Sequence, residues 1–424
     1  MPAVNFDRML QACLVNGAAP NSVAYWSRPL DWKNQTLTPN PDTIYLQPFY
    51  DTRRGPVGLE IPPAGADGVI VGSVDDAWQN ALEDVGPAGV DQGKGGKYVI
   101  TPPGFTGTVP PGCIELRSAT FQGFALLRSN FRSRRDSDIA AAVGYGRKIR
   151  MYQLGAGPDA TNFVDMHGRM FDATIPYDWR FYESLHRFVQ VEPWLMRDRV
   201  MIDILKSIGI EKGSPFEPDQ AMKEVFLKAM SEARRIIDAR YAQLFVPAFF
   251  EGTHWAVPAS KAAVEGMSTS FADPDAYPVV DRAVMYTMGY FSARHLGAGQ
   301  FYLMTTQDRS GRPLDGARTY RLVVPARAPV QQYWSATAYD RETHALIRAT
   351  ERSSRASNSA DVRTNADGSV ELWFSPKAPA GKEANWVPTN GRGFEVLFRL
   401  YGPEKTFFDK QWVLPDLEES MSNL

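Results

Sequence analysis

The chain has 424 residues and a formal net charge of −2, with 44% hydrophobic and 22% charged residues. These values are ordinary for a globular protein, and the near-neutral charge provides no basic field for nucleic acid. No window approaches the roughly 18 consecutive apolar residues that a transmembrane helix needs. We therefore expect several buried cores, and neither a nucleic-acid nor a membrane partner.

Cysteine usage and the N-terminal sequence bear on the compartment. Cys13 and Cys113 are the only cysteines, and neither belongs to a Cys-x-x-Cys motif. This excludes a disulfide framework and a structural zinc site, and it favours two buried free thiols over one disulfide. The N-terminus lacks a basic segment followed by a long apolar run. The sequence as given predicts a cytoplasmic protein, or a periplasmic or secreted one if a leader has been removed.

Strand signals dominate the first part of the chain. Residues 3–15 predict a short amphipathic helix. Residues 43–132 contain short alternating runs separated by Gly and Pro, which is typical of an antiparallel sandwich or barrel. Within them, residues 75–85 predict a short helical interruption.

The pattern becomes helical from residue 137 and returns to strands after residue 300. Apolar residues at helical spacing predict helices over residues 137–153, 178–190, 194–208, 219–244 and 279–293. In the last part, Asp367-Gly368 predicts a hairpin turn. The order predicts an α+β protein that is mainly β, with two antiparallel β domains joined by a helical segment. The predicted bounds are 1–135, 136–298 and 299–424.

Residues 38–45, Thr-Pro-Asn-Pro-Asp-Thr-Ile-Tyr, carry the densest set of local conformational restraints. Pro39 and Pro41 fix φ at about −65° and push the residue before each of them out of the helical region. Asn40 and Asp42 therefore lie on a stiff support beside a strand end, which suits a site that needs a fixed amide and carboxylate. The alternative is a turn in which both side chains cap nearby backbone N–H groups.

Several longer motifs identify a resemblance. The first β region contains TPNPDTIY, DTRRGP and KGGKYVITPPG, and the middle contains FDATIPYDWRFYESL and GIEKGSPFEPD. The last region contains GRPLDGARTYRLVVPA, PVQQYWSATAYD, NADGSVELWFSP, NWVP and FRLYGP. Over nearly its whole length the chain thus resembles the bacterial proteins that pair domain of unknown function 1254 with domain of unknown function 1214. The resemblance implies two β-sandwich, jelly-roll-like domains and a homo-oligomer, a dimer or a tetramer. It implies no established reaction.

Carboxylates near the start of a predicted helix are candidates for acid–base chemistry. Asp172 and Glu183 lie in the segment DATIPYDWRFYE, where Asp178 is a candidate N-cap residue. Two carboxylates in different environments suit glycoside or lyase chemistry, because burial can raise the pKa of one while the other stays ionised. The alternative is a salt bridge to a nearby arginine. With Asp42, these two residues form our candidate catalytic set.

The histidines give little support for a metal site. His186 and His254 each end a Glu-x-x-His spacing, which on a helix places both side chains on one face, as di-iron sites require. Such sites also need glutamates from other helices, and no pattern indicates them. We predict no cofactor and leave a divalent metal open, with His167, His186 and His254 as the candidate ligands.

Candidate binding residues come from alternation in the last β region. Trp334 shares one face of its predicted strand with two alanines, whereas Tyr339 shares the other face with hydroxyl residues. One face is core and the other suits a small-ligand pocket. Arg399 and Tyr401 likewise share a face. An arginine there is a rim charge or an anchor for an anionic group, and Asp42 is its candidate partner.

No serine-hydrolase elbow, kinase motif or dinucleotide fingerprint is present. The leading hypothesis is a hydrolase or lyase without an organic cofactor, acting on a small polar or carbohydrate-like molecule. The alternatives are a non-catalytic small-molecule or carbohydrate-binding protein and a structural component of an oligomeric assembly. The candidate catalytic residues are Asp42, Asp172 and Glu183, and the candidate substrate-binding residues are Asn40, Tyr45, Trp334, Tyr339, Arg399 and Tyr401.

Overall fold

A computed structural model describes residues 1–288, 293–295 and 299–420, and it shows an α+β chain whose strand pairs are mostly antiparallel. The helices of this part of the chain are α1 (Pro2–Val15), α2 (Asp136–Gly146), α3 (Trp179–Val191), α4 (Arg199–Ile204), α5 (Gln220–Gln243), α6 (Lys261–Ser268), α7 (Val279–Met288) and α8 (Lys405–Phe408). Short 3₁₀ helices cover Pro158–Ala160, Met196–Asp198, Leu205–Ile208 and Glu383–Asn385.

The strands fall into an early and a late group, which precede and follow helices α3 to α7 along the chain. The early group is β1 (Ser22–Tyr25), β2 (Asn34–Gln35), β3 (Ile44–Asp51), β4 (Val57–Ile61), β5 (Ile70–Asp76), β6 (Ala81–Val85), β7 (Gly96–Thr101), β8 (Ile114–Arg117), β9 (Gln122–Ser129), β10 (Arg150–Gln153), β11 (Asn162–Asp165) and β12 (Phe171–Asp172). The late group is β13 (Gln300–Thr305), β14 (Tyr320–Val324), β15 (Val330–Asp340), β16 (Ser354–Ala356), β17 (Val370–Ser375), β18 (Trp386–Pro388), β19 (Phe394–Pro403) and β20 (Glu418–Glu419).

Ten of the early strands build two sheets that share one core, and β2 and β12 pair separately. The six-stranded sheet has the order β11-β1-β3-β9-β5-β6, and the four-stranded sheet has the order β10-β4-β7-β8. Val23 and Leu46 of the first sheet belong to the same buried cluster as Leu59 and Ile100 of the second. The sheets therefore face each other across this cluster, and we call the pair the first β module.

The late strands repeat this arrangement with two four-stranded sheets. Their orders are β13-β19-β15-β16 and β18-β17-β14-β20. Leu303 and Phe398 of one sheet and Leu322 and Leu372 of the other lie in a single buried cluster. We call this pair of sheets the second β module. The jelly-roll connectivity and the predicted domain bounds stay predictions.

A further hydrophobic cluster lies between the two modules, and we call it the interface core. Tyr45 and Leu126 of the first module meet Met304 and Leu397 of the second in this cluster, together with residues of α1, α5 and α7. All eight residues of β3 are buried, because one face of this strand packs in the first-module core and the other in the interface core. The modules are thus joined by shared apolar packing.

The helix predicted over residues 75–85 is wrong. The segment forms the hairpin β5–β6, and β5 also pairs with β9 in the centre of the six-stranded sheet. A carboxylate oxygen of Asp76 accepts hydrogen bonds from the backbone N–H groups of Trp78 and Asn80, both at 2.9 Å, which closes the turn. Turn chemistry and sheet pairing here outweigh the local helical pattern.

Other predicted bounds need smaller corrections. The helix predicted over residues 137–153 ends as α2 at Gly146, and β10 then pairs with β4. Residues 194–208 form α4 with a 3₁₀ helix on each side. The helix predicted over residues 279–293 is observed as α7, and residues 289–292 lie outside the described part.

The predicted turn at Asp367-Gly368 is present, but it does not join a hairpin. The N–H of Gly368 donates to the carbonyl of Asn365, and β17 follows directly. β17 pairs with β14 and β18 instead of with the segment before the turn.

The prediction of two buried free thiols is right for Cys13 only, since Cys113 is free but partly exposed. In the described part of the chain, no helix has both the length and the apolar character to cross a membrane.

Glu192 at the end of α3 gives the fold a pH-sensitive contact. Its buried carboxylate accepts hydrogen bonds from the backbone N–H groups of Phe121 at 2.6 Å and Gln122 at 3.0 Å. Burial raises its pKa to about 7, and repulsion from Asp51 and Asp76 acts in the same direction. Because the pKa is higher in the folded chain, the folded state binds the extra proton below about pH 7, and stability falls as the pH rises from about 4.5 to 7.

We expect Glu192→Gln to remove this contribution, which reaches up to about 3 kcal/mol for a shift of this size. Urea unfolding of the wild type and the variant between pH 5 and 8 measures this contribution. It is the difference between their slopes of the free energy of unfolding against pH. Glu232→Gln, at an exposed position on α5, serves as the control and should keep the wild-type pH dependence. Parallel pH profiles for wild type and Glu192→Gln would show that the carboxyl does not titrate in this range.

Candidate functional site

A small cavity of about 40 Å³ lies between the two modules, beside the interface core. One water molecule needs roughly 10 to 15 Å³ of such volume, so the cavity accommodates only a few non-hydrogen atoms. Strands β3 and β9 form its first-module side, and β13 and β19 form its second-module side. The lining residues are Leu37, Thr38, Pro39, Asn40, Tyr45, Leu126, Arg128, Tyr302, Leu397 and Arg399. These include two arginines and no acidic residue.

Strand alternation explains how the two arginines reach the interface. On β9, Leu126 and Arg128 point to the face opposite Leu127, which lies in the first-module core. On β19, Leu397 and Arg399 likewise alternate with residues of the second-module core. Each module therefore supplies a Leu-x-Arg pair to the cavity from a central strand of its sheet.

Arg399 is buried and held by neutral oxygens. Its Nη1 donates to Thr337 Oγ1 at 3.0 Å, and its Nη2 donates to the Thr38 carbonyl at 2.9 Å and to Tyr339 Oη at 2.5 Å. Its guanidinium lies 5.5 Å from the centre of the Tyr302 ring. Within residues 1–288, 293–295 and 299–420 it forms no salt bridge, so its orientation is fixed but its charge is not neutralised.

Arg128 is less constrained than Arg399. Its Nε donates to Tyr45 Oη at 3.3 Å, and its guanidinium lies 5.3 Å from the centre of the same ring. Its two terminal nitrogens donate no hydrogen bond to any residue that the structure describes, and none of these residues forms a salt bridge with it. The residue lines the cavity. Arg128 thus offers the outer edge of its guanidinium as a pair of available donors.

Titration of the surrounding groups leaves the cavity positively charged. Burial raises the pKa values of Tyr302, Tyr339 and Tyr401, so these phenols are neutral at physiological pH. Burial opposes the charge of Arg128 and Arg399, yet the pKa of each lies above the ordinary arginine value, so both guanidinium groups stay protonated. Two guanidinium charges therefore share this region with neutral groups.

Asn40 joins the 38–45 segment to both modules. Its side-chain oxygen accepts from the N–H of Asp42 at 3.0 Å, and its Nδ2 donates to Tyr401 Oη at 2.5 Å. Its own backbone N–H donates to Tyr45 Oη at 3.1 Å. The turn interpretation is right for its side-chain oxygen, and the segment also forms a wall of the cavity. Tyr401 lies behind Asn40 and does not line the cavity.

Asp42 is part of a closed pair beside the cavity. Its buried carboxylate accepts from Arg134 of the first module and from Ser354 Oγ of the second, the latter at 3.1 Å. The sequence suggests that Asp42 pairs with Arg399. This prediction is wrong, because Arg399 points into the cavity and Asp42 is not among the residues that line it. A catalytic role for Asp42 stays a prediction.

The other predicted catalytic residues are not at the cavity. Asp172 accepts from Thr174 at 2.7 Å and from Arg348 at 2.9 Å. Burial acts to raise its pKa, but these hydrogen bonds outweigh it and lower the pKa below the ordinary value. Glu183 is a partly exposed residue of α3. The structure does not bring these carboxylates together with the residues of the cavity.

Of the predicted binding residues, Asn40, Tyr45 and Arg399 line the cavity, and Tyr339 lies behind Arg399 as one of its hydrogen-bond partners. Trp334 belongs to the second-module core, where it stacks on Phe398 at 5.5 Å between ring centres. It therefore forms no wall of this cavity.

The three candidate metal ligands are far from forming one site. His167 is exposed, His186 Nε2 lies 3.0 Å from the Ser214 carbonyl, and His254 Nδ1 lies 2.8 Å from Asp416 Oδ2. Among the residues for which the structure gives positions, no three His, Cys, Asp or Glu side chains gather as a metal-binding group.

Sequence reasoning missed Arg128 and Tyr302. Arg128 interrupts the apolar run FALLRSNF, and Tyr302 lies in the run QFYLMT. The argument applied to Arg399, that an arginine inside a strand pattern is either a rim charge or an anchor for an anionic group, applies equally to Arg128.

The two stacked-sheet modules correspond to two known domain families. A family model described as "Protein of unknown function (DUF1254)" matches residues 20–153, and one described as "Protein of unknown function (DUF1214)" matches residues 299–405. The chain belongs to the family that pairs these two domains in this order.

Solved structures resemble the whole chain. The VPA0106 protein from Vibrio parahaemolyticus is 17% identical with a TM-score of 0.57, and the match covers 99% of this chain and 98% of that one. A putative uncharacterized protein from Burkholderia cenocepacia is 12% identical with a TM-score of 0.46, over 98% of this chain and 87% of that one. A search among curated proteins found no match. The Vibrio likeness shows a shared fold.

Proposed function

We propose that the protein binds a small oxyanion in the cavity, between Arg128 and Arg399. The observation that carries this proposal is that Nη1 and Nη2 of Arg128 have no hydrogen-bond partner among the described residues, in a cavity whose other charged residue is also an arginine. Buried charges in proteins are normally paired, because an unpaired one is costly to remove from water. Guanidinium groups bind oxyanions with two parallel N–H donors.

The neighbouring groups support the same function. Arg399 is fixed by three hydrogen bonds and adds a second positive charge. Asn40, Tyr45 and Tyr302 add polar groups to the walls. A cavity of about 40 Å³ suits an anion of roughly three to five non-hydrogen atoms and is too small for a sugar ring.

Binding is favoured over acid–base catalysis because of where the carboxylates lie. Neither Asp42 nor Asp172 nor Glu183 lines the cavity. Asp42 and Asp172 are also held by Arg134 and Arg348. Among the functions that the sequence leaves open, we therefore propose small-molecule binding, with an anion as the ligand. The hydrolase or lyase chemistry and the homo-oligomer stay predictions.

Thermal unfolding in a series of anions tests the proposal. At constant ionic strength, formate, acetate, phosphate and sulfate are each compared with chloride as the reference anion. A ligand at about 100 times its Kd adds about 2.7 kcal/mol to the free energy of unfolding. We expect at least one oxyanion to raise the Tm of the wild type by several degrees.

Arg128→Met removes the free donors while keeping an unbranched side chain. We expect it to abolish the oxyanion-dependent rise in Tm, and in chloride to be at least as stable as the wild type, because a partly buried charge with no described salt-bridge partner has been removed. Arg117→Met is the matched control, since Arg117 is exposed and paired with Glu115 at 3.1 Å. Equal oxyanion effects in wild type and Arg128→Met would contradict the proposal.

A further inference from the structure

The cavity lining combines polar and apolar side chains, and this bears on which oxyanion fits. Asn40, Arg128 and Arg399 offer polar or charged side chains, whereas Leu126 and Leu397, with Leu37 and Pro39, offer only hydrocarbon. A ligand that fills this cavity must therefore bury part of its surface against groups that cannot hydrogen-bond.

Inorganic oxyanions match such walls poorly. Phosphate and sulfate carry oxygens in all directions, so some of these oxygens would lose their water without gaining a donor, which is unfavourable. A carboxylate instead concentrates its charge on two oxygens at one end and carries hydrocarbon at the other. The mixed lining thus favours a carboxylate with a short apolar tail.

The donors of Arg128 also favour a carboxylate. Its Nε is directed to Tyr45 Oη, so the edge that remains is the one formed by Nη1 and Nη2. Two parallel donors on one edge fit the two oxygens of a planar carboxylate. The terminal nitrogens of Arg399 already donate to Thr337, Thr38 and Tyr339, so this residue contributes charge more than new hydrogen bonds.

Resting on the proposed oxyanion function, we infer that the ligand is a monocarboxylate with a tail of one or two carbons, as in acetate and propionate. Arg128 binds the carboxylate through Nη1 and Nη2, Arg399 supplies the second positive charge, and Leu126 and Leu397 pack against the tail. The volume of about 40 Å³ suits a chain of this length.

Calorimetric titration of the wild-type chain with formate, acetate, propionate, butyrate, nitrate and phosphate tests the inference. Each buried carbon should tighten binding by about fourfold, so affinity rises from formate to acetate to propionate and falls at butyrate, which is too long. Nitrate is the key comparison, because it is planar like a carboxylate but has no tail. We expect nitrate and phosphate to bind at least tenfold more weakly than acetate.

Leu126→Ala provides the matched variant, because it enlarges the apolar side without changing the arginines. It should bind butyrate better than the wild type does, while its affinity for nitrate stays the same. Leu82→Ala, at a partly buried position packed against the first-module core, is the control and should keep the wild-type order.

The outcomes separate the inference from the proposed function. Nitrate or phosphate binding as tightly as acetate would overturn the monocarboxylate while leaving the oxyanion site intact. An unchanged butyrate affinity in Leu126→Ala would overturn the role of Leu126 as a tail contact. Absence of binding by every anion would overturn the proposed function itself.

Discussion

Glu395→Ala is expected to lower the free energy of unfolding by about 3 to 5 kcal/mol. Glu395 lies on β19 and is fully buried. Its Oε1 lies 2.7 Å from Nδ1 of buried His344, and its Oε2 accepts from Tyr241 Oη at 2.7 Å. Arg341 Nε lies 3.9 Å from the same carboxylate. Truncation leaves buried donors unpaired and opens a void, and the two costs add.

Urea unfolding at neutral pH measures this loss. Tyr241→Phe removes one donor and should cost about 1 to 2 kcal/mol. The double variant should lose less than the sum of the single losses, because the two groups share one hydrogen bond. Glu371→Ala is the control, since Glu371 is partly exposed and pairs with Arg321 and Lys382, and it should cost at most about 1 kcal/mol. Equal losses at the two glutamates would contradict the buried network.

Gly123→Ala is expected to cost about 3 kcal/mol, although it adds only one methyl group. An added Cβ at Gly123 would lie 2.2 Å from Tyr50 Oη and 2.3 Å from the Asp75 carbonyl oxygen. Because the second contact is with backbone, no side-chain rotation relieves it, and β9 must shift against β5. Arg128 lies further along β9, so we also expect weaker anion binding in this variant.

Gly144→Ala is the matched comparison for Gly123→Ala. Gly144 lies in α2, and an added Cβ there would meet no atom within 4 Å. Alanine is favoured over glycine in a helix by about 1 kcal/mol, so this variant should be more stable than the wild type. Thermal and urea unfolding of both variants measure the contrast. A Gly123→Ala variant as stable as the wild type would show that β9 tolerates the methyl group.

The sequence predicts much of the fold because its two periodicities are clear over most of the chain. Alternation locates the main strands, and the apolar stripe of residues 219–244 locates α5 with Asp219 as its N-cap. The errors fall in segments 75–85 and 147–153, where residues at helical spacing are drawn into sheets by partners far away in sequence. Pairing of that kind is a property of the tertiary structure, which local spacing does not record.

The sequence predicts the candidate site only in part, again because local spacing does not record tertiary contacts. The stiffness of residues 38–45 and the arginine inside a strand pattern correctly directed attention to Asn40, Tyr45 and Arg399, which line the cavity. The pairing of Asp42 with Arg134 depends on the tertiary structure of the first module, and the placement of Arg128 and Arg399 at one cavity depends on how the two modules dock. Nothing in the spacing of these residues specifies that docking.

The strand pairing also shows that sequence families and folding units have different bounds. The match to residues 20–153 stops before β11, which pairs with β1, and the match to residues 299–405 stops before β20, which pairs with β14. A gene fragment cut at either limit would encode a sheet without one of its strands. It would also leave apolar residues of the interface core, such as Phe49 and Leu397, without their covering partners. Expression of either half therefore calls for longer fragments, and the interface core is buried only when both modules are present.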